Sequence, residues 1–422
     1  MQANGDRSAK KPPLWTFIFI RVGIITAVTG ICTQMFMSAF PQYLQQRGFS
    51  PSQMGFIASG YTICAMVMRI FAGNLIDTKG RRLICMIGLA FFGMPIVGFY
   101  LSSTVALIVL FRLIQGFGSS MATIAQGTMV PDVLHKERMV EGLGYYGMFS
   151  NVATAIGPAV GLSFLLKGNT DGFFLFGIAL MVVAMAVCVT INYEKKQGFQ
   201  RGGSNPQSVE LTPEEQAFEE QAEAEAAEDI RRSPIWRFFD KCAIPAAILS
   251  LMVTLSTTSI TNYISPYGIG IGLTAIGRFF TVQAAFMIVI RIFSGRLANR
   301  FGMFPVIVGG MLADVVALFL ISTMTNNFMM YAAAAIRGMG GGLYFPMLNV
   351  LAVSNAARSR RGKATSTYYA AYDLGAGVGA AIWGLVADYL GGYRTVYFGA
   401  ALLYVVTIPV TFLLIGRKKK KV

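Results

Sequence analysis

Twelve stretches of this chain stay apolar for 18 residues or more, and that repetition limits the fold more than any other feature. They lie at roughly 14–40, 53–75, 83–101, 105–128, 139–166, 172–191, 242–265, 273–295, 304–323, 327–350, 362–388 and 393–415. Each is long enough to cross the ~30 Å hydrocarbon core of a bilayer as a helix. Composition agrees, because charged residues make up only 13% of the chain, about half the share of a soluble domain. The expected fold is an all-α membrane protein of twelve transmembrane helices. The first run is too long for a signal-peptide core and lacks a small-residue cleavage site, so no cleaved leader is expected. The cysteines (Cys32, Cys64, Cys85, Cys188, Cys242) lie in or beside spans without metal-site spacing.

The formal net charge of +15 would suit a nucleic-acid partner, but the placement of the charges argues for a membrane instead. With twelve spans and an internal N-terminus, the basic clusters all fall on the cytoplasmic side: Lys79 with Arg81 and Arg82, Arg358 to Lys363, and Arg417 to Lys421. Only Arg47, Lys167 and Arg394 fall outside. This is the positive-inside bias, and it places both termini in the cytoplasm of an inner membrane. The partners expected are therefore the lipid bilayer and a small molecule, with no nucleic acid.

One segment breaks the hydropathy. Residues 192–241 separate spans six and seven, and nine of the 20 acidic residues lie between Glu210 and Asp229. Thr212-Pro213-Glu214-Glu215 predicts a helix start with a capping box. Ser233-Pro234 ends that helix, and Trp236 with Phe238 and Phe239 predicts an interfacial piece. The expected organisation is a six-helix bundle over 1–191, a cytoplasmic linker over 192–241, and a second six-helix bundle with a basic tail over 242–422.

The two bundles are related. Residues 69–82 read RIFAGNLIDTKGRR, and residues 291–304, 222 positions later, read RIFSGRLANRFGMF. At the same offset, Gln115-Gly116-Phe117-Gly118 falls on Arg337-Gly338-Met339-Gly340. Tyr146, Asn151 and Gly157 fall on Tyr368, Asp373 and Gly379. A constant offset across several span pairs predicts two parallel halves with the site between them.

Over residues 14–415 the chain resembles the major facilitator superfamily, in its drug/proton-antiporter-like branch. Three motifs carry the likeness: the turn Gly73, Leu75, Asp77, Gly80, Arg81, Arg82; Arg112 with Gln115-Gly116 and Gly118; and Gly157-Pro158 with Gly161. In the third motif, Leu162 stands where the family has a glycine. The resemblance implies two pseudo-symmetric bundles around a central cavity, alternating access, and a monomer. It makes Gly73, Asp77, Gly80, Arg81 and Arg82 a cytoplasmic gate, and Gly157, Pro158 and Gly161 an antiporter-type motif. It also gives Arg112 a part in substrate binding or proton coupling, with a structural hydrogen-bonding hub as the other reading.

Asp373, near the middle of span eleven, is the candidate proton-coupling acid, beside Tyr369 and Tyr372. Arg337 in span ten is its expected partner, although a static buried Arg–Asp pair stays open. Asp314 in span nine reads as interhelical pairing. Arg69 and Arg291 read as interfacial, and Arg21 as a snorkelling side chain. The candidate substrate-binding residues are Gln34, Arg112, Gln115, Asn151, Asn262, Arg337, Tyr344, Asn349, Tyr369 and Tyr372. The glycine pairs 157/161 and 375/379 read first as close helix packing. The 23 methionines read as pliable apolar filler rather than thioether ligands.

No phosphate-cradling loop is present, so neither ATP nor another cofactor is expected. The chain reads as a secondary transporter, not an enzyme, with proton-coupled efflux of a small organic solute as the first reading. Uptake of an organic anion neutralised by intramembrane arginines is the second, and a non-transporting membrane sensor or scaffold is the third.

Overall fold

In the computed structural model the described residues are 13–102, 104–135, 138–192, 224–225, 228, 231–233, 236, 239–273, 275–354, 356 and 360–415. Twelve long helices account for most of them: α1 Phe17–Gln46, α2 Pro51–Lys79, α3 Arg81–Leu101, α4 Val105–Val133, α5 Met139–Leu166 and α6 Thr170–Val189 in the first half. The second half has α7 Ile244–Gly270, α8 Gly277–Phe301, α9 Met303–Thr323, α10 Asn327–Ser354, α11 Arg361–Tyr389 and α12 Gly392–Ile415. Ten are long and apolar enough to cross a membrane; α2 and α10 have the length. The helix start expected at Thr212 and the basic tail from Arg417 lie outside the described residues; farther along the expected linker helix, residues 224–225, 228 and 231–232 are helical.

Helix starts follow from local chemistry. The Thr16 hydroxyl accepts from Phe19 N at the head of α1. Ser50 and Gln53 form a capping box at α2, with Pro51 at its first position. Asn169 caps α6 by accepting from Gly172 N at 2.8 Å. The α2–α3 and α8–α9 connections each turn on a single glycine, Gly80 at φ 92° and Gly302 at φ 86°. With ψ near 150–160°, that backbone is open to glycine and strained for residues with a Cβ. These glycines are also 222 positions apart, so the doubled turn is doubled in conformation as well.

The repeat extends into the packing. A Cβ on Gly88 or Gly118 would strike the backbone of the facing helix, bringing α3 against α4. Gly310 and Gly340 do the same for α9 against α10. Gly116 lies on the carbonyl of Tyr61, and its mate Gly338 lies on the carbonyl of Gln283. Gly157 and Gly161 seat α5 on α1 beside Met35, while Gly375 and Gly379 seat α11 on α7 beside Leu251 and Leu255. In hydrocarbon, burial of apolar surface does not drive helices together, so close backbone approach at small residues must do so. Phe17, Phe56, Leu101, Val182, Phe328 and Phe398 stay exposed on the outside, where lipid would cover them.

The halves meet along two seams related by the repeat: α2 packs on α11, and α5 packs on α8. A third contact joins α1 to α7. Twelve crossings put the start of α1 and the end of α12 on one side, called here the terminal side.

Gly118→Ala and Gly340→Ala should each lower the thermal stability of the purified protein, because an added Cβ meets backbone that only a helix shift can relieve. The expected cost is about 1–3 kcal/mol. Gly309→Ala, whose Cβ would meet nothing within 4 Å, should leave stability unchanged or raise it. Thermal unfolding in one detergent checks all three.

Candidate functional site

Between the halves lies a cavity of about 1020 Å³, large enough for a small organic molecule. Its wall reaches Leu143 on α5, Ser294 on α8 and Val350 on α10, residues near the terminal-side ends of their helices. At the far side the seams are closed. Ser52 N donates to Asp388 Oδ2 at 2.8 Å, and Ser59 Oγ donates to the Gly377 carbonyl at 2.5 Å. Tyr263 OH of α7 reaches the Pro51 carbonyl of α2 at 3.3 Å, and Thr281 Oγ1 reaches that of Ala155 at 3.4 Å. The cavity therefore faces the terminal side.

Where each seam meets the cavity, an arginine crosses it. Arg69 Nε on α2 lies 3.0 Å from Asp373 Oδ2 on α11. Arg291 Nη1 on α8 donates to Asn151 Oδ1 on α5 at 2.8 Å. Arg69 and Arg291 are repeat mates, as are Asn151 and Asp373, so one contact is built twice. The guanidinium of Arg69 also lies over the Tyr369 ring at 5.5 Å, and Tyr369 OH accepts from Asn349 Nδ2 at 3.1 Å.

This corrects three readings of the sequence. Asp373 pairs with Arg69, not with Arg337, and neither Arg69 nor Arg291 is an interfacial anchor. The spans drawn at 53–75 and 273–295 stopped short, because α2 continues to Lys79 and α8 to Phe301. Arg69 therefore lies ten residues inside its helix end, about 15 Å deep at 1.5 Å per residue.

Arg337 has its own acid. Its Nη1 donates to Asp314 Oδ2 and to Tyr344 OH, both at 2.7 Å, and its Nη2 donates to Thr257 Oγ1 at 2.9 Å. Tyr344 OH donates to the same Asp314 oxygen at 2.6 Å, and its hydroxyl lies 2.9 Å from that of Tyr404. The network joins α7, α9, α10 and α12 within one half, which agrees with Asp314 as an interhelical partner. Arg112 lies in the first half, 3% exposed, between the rings of Phe40 and Tyr61. Its Nη1 donates to Gln115 Oε1 at 2.5 Å. Arg112, Arg337 and Asp373 thus have separate partners and form no common charged core.

Of the candidate substrate residues, Gln34, Asn262, Arg337, Asn349, Tyr369 and Tyr372 line the cavity. Gln34 Nε2 donates to Thr154 Oγ1 at 3.0 Å, and Asn262 Nδ2 to the Thr258 carbonyl at 3.3 Å. Arg112, Gln115 and Tyr344 lie behind the wall, and Asn151 reaches it through Arg291. Pro158 lines the cavity, while Gly157 and Gly161 pack on α1.

In the gate turn, Arg81 pairs with Asp132 of α4 at 2.7 Å, and Arg82 Nη2 donates to the Val189 carbonyl at 2.6 Å. Both contacts stay within the first half. The side chain of Asp77 lies outside the described set. Arg21 Nη1 reaches the Thr190 carbonyl at 3.0 Å near the terminal-side surface, as a snorkelling side chain would.

Comparison with known proteins gives the family. The model described as Major Facilitator Superfamily matches residues 22–372 and 305–422. The chain is 21% identical over 406 residues to a staphylopine export protein of Staphylococcus aureus (strain Mu50 / ATCC 700699), covering 94% of this chain and 95% of that one. It is 23% identical over 378 residues to the quinolone resistance protein NorA of Staphylococcus aureus (strain MSSA476), covering 88% and 87%. Among solved structures, the fold matches a peptide transporter in complex with sulfate at a TM-score of 0.76, with 13% identity and 96% of each chain covered. It matches a bacterial homologue of the human lysosomal transporter Spinster, in an inward-facing and unoccupied conformation, at 0.73, with 14% identity and coverage of 95% and 97%.

Asp314→Ala should strand the Arg337 charge in the core and cost about 3–5 kcal/mol. The double replacement Asp314→Leu with Arg337→Leu should recover much of that loss. Thermal unfolding of the single and double variants measures the difference.

Proposed function

We propose that this chain, which belongs to the major facilitator superfamily, exports a small organic molecule in exchange for protons. Membership makes it a multi-pass membrane transporter working by alternating access, not an enzyme. The Arg69–Asp373 pair is the observation that carries the coupling reading. It crosses from one half to the other, lines the cavity, and lies where the closed far-side seam ends.

The terminal side is the cytoplasmic side in this reading, because the basic clusters lie there. The halves, residues 1–191 and 242–422, rock about the two seams, and 192–241 joins them. With the cavity facing the cytoplasm, the ionised Asp373 holds α11 to α2 through Arg69 and keeps the outer face shut. Separating the charges would leave each poorly solvated at a site where Arg69 is 27% and Asp373 11% exposed. That cost resists reorientation of the empty carrier. A proton on Asp373 removes one of the two charges and lets the seam part. A substrate bound in the cavity between the halves is the other way to part the seam. Reorientation then requires either a proton or a substrate, which is the condition for exchange.

Export is supported by the names of two relatives, a staphylopine export protein and a quinolone resistance protein, each matched over most of its length. The fold works as a monomer in this reading, and the Arg337–Asp314 network holds the second half rigid while the seams move.

Proteoliposomes with a pH gradient and a fluorescent quinolone as probe test the coupling. Wild type should move the probe uphill when the gradient is imposed. Asp373→Asn should lose uphill transport by at least about tenfold, the effect of 1.4 kcal/mol, while keeping exchange of probe down its own gradient. Full gradient-driven transport by Asp373→Asn, or wild-type flux indifferent to pH, would remove the proton from the mechanism.

A further inference from the structure

The two seam contacts join repeat-mated residues and differ in charge. On α2 and α11, Arg69 meets the carboxylate of Asp373. At the mated site on α8 and α5, Arg291 meets only the amide oxygen of Asn151. The other arginine in the cavity wall, Arg337, is neutralised by Asp314 from behind. Among the described wall residues, Arg291 is therefore the guanidinium with no opposing charge, and its Nε is buried without a hydrogen-bond partner. A cation held in a low-dielectric wall is costly until an anion or water compensates it.

The space beside it suits a ligand. Gly147, one turn from Asn151 on α5, lines the cavity, and a Cβ there would meet nothing within 4 Å. Deeper in the cavity, Gln283 lies eight residues from Arg291 on the same helix, about 12 Å away at 1.5 Å per residue. Its Oε1 is also buried without a partner. The wall thus offers a cation about 15 Å in from the terminal-side end of α8 and an unused acceptor deeper still.

We propose that the substrate is a small organic acid whose carboxylate docks on Arg291, with a hydrogen-bond donor at its other end directed to Gln283. This rests on the transporter reading above and specifies the substrate class of the same cavity. The bound carboxylate supplies at Arg291 the negative charge that Asn151 lacks. Guanidinium–carboxylate geometry makes this a charge-assisted contact that a neutral isostere cannot copy. The arginines expected from the sequence to neutralise an anion, Arg112 and Arg337, are committed to protein partners.

Equilibrium binding to the full-length purified protein, without any gradient, tests the site. The probes are 4-(4-aminophenyl)butyrate and its neutral amide. Wild type should prefer the acid by about tenfold or more, the usual margin of a charge-assisted hydrogen bond. Arg291→Gln should erase the preference, and Arg291→Lys should keep part of it. Asn151→Asp, which adds the missing acid, should erase it with Arg291 intact. Thermal unfolding identifies variants that fail to fold, and either Arg291→Gln or Asn151→Asp alone suffices to decide. Equal affinity of wild type for acid and amide, including no measurable binding of either, overturns the proposal. So does a preference that survives in folded Arg291→Gln or Asn151→Asp. Failure of the coupling reading has a separate signature: gradient-driven flux persists in Asp373→Asn whatever the acid preference.

Discussion

Backbone-to-backbone approach at glycine holds this molecule together. Lipid solvates apolar side chains as well as protein does, so a helix gains little by hiding leucine from it. What remains is interhelical hydrogen bonding and tight van der Waals contact, and the second depends on surfaces without protruding Cβ atoms. Gly88 with Gly118, Gly310 with Gly340, Gly116 on Tyr61 and Gly338 on Gln283 supply such surfaces in both halves. Gly157 and Gly379 seat the seam helices on α1 and α7. These contacts fix helix spacing to within the width of a methyl group, and every polar pair described above depends on that spacing.

With the frame fixed, the buried charges divide into two kinds. Arg337 with Asp314, and Arg112 with Gln115, Phe40 and Tyr61, stay inside one half and cannot respond to the relative position of the halves. Arg69 with Asp373 and Arg291 with Asn151 cross between halves and must change when the halves move. Only the second kind can link ion or substrate binding to rocking. The difference between the two crossing contacts is one side chain, Asp373 against Asn151, and on it rest the proposals of a proton-sensitive seam and an anion-binding one.

Much of this was legible in the sequence. The twelve apolar runs located the twelve helices, and the offset of 222 gave the relation of the halves. Asp373 and Asn151 were visible as mates, and so were Arg69 and Arg291 in the doubled RIF turn. Pairing one set with the other was not visible. The sequence offers Arg337 in span ten as the partner of Asp373, whereas its partner in the structure, Arg69, sits on α2. The signal that could have found Arg69 was the turn itself: an arginine ten residues before a helix-ending Lys79 lies too deep for a headgroup anchor.

Hydropathy, charge placement and the internal repeat determined the fold class and the helix count, because each depends on composition along a single helix or on the chain compared with itself, and three short motifs carried the resemblance to the family. Partner choice was decided only in three dimensions. Arg69 and Asp373 are separated by 304 positions, and no local pattern records that the two halves pack with α2 antiparallel to α11. The charge of a side chain is written in the sequence. Whether that charge is neutralised, stranded or offered to a ligand depends on which helix faces it, and that is set by the packing of glycine-bearing surfaces.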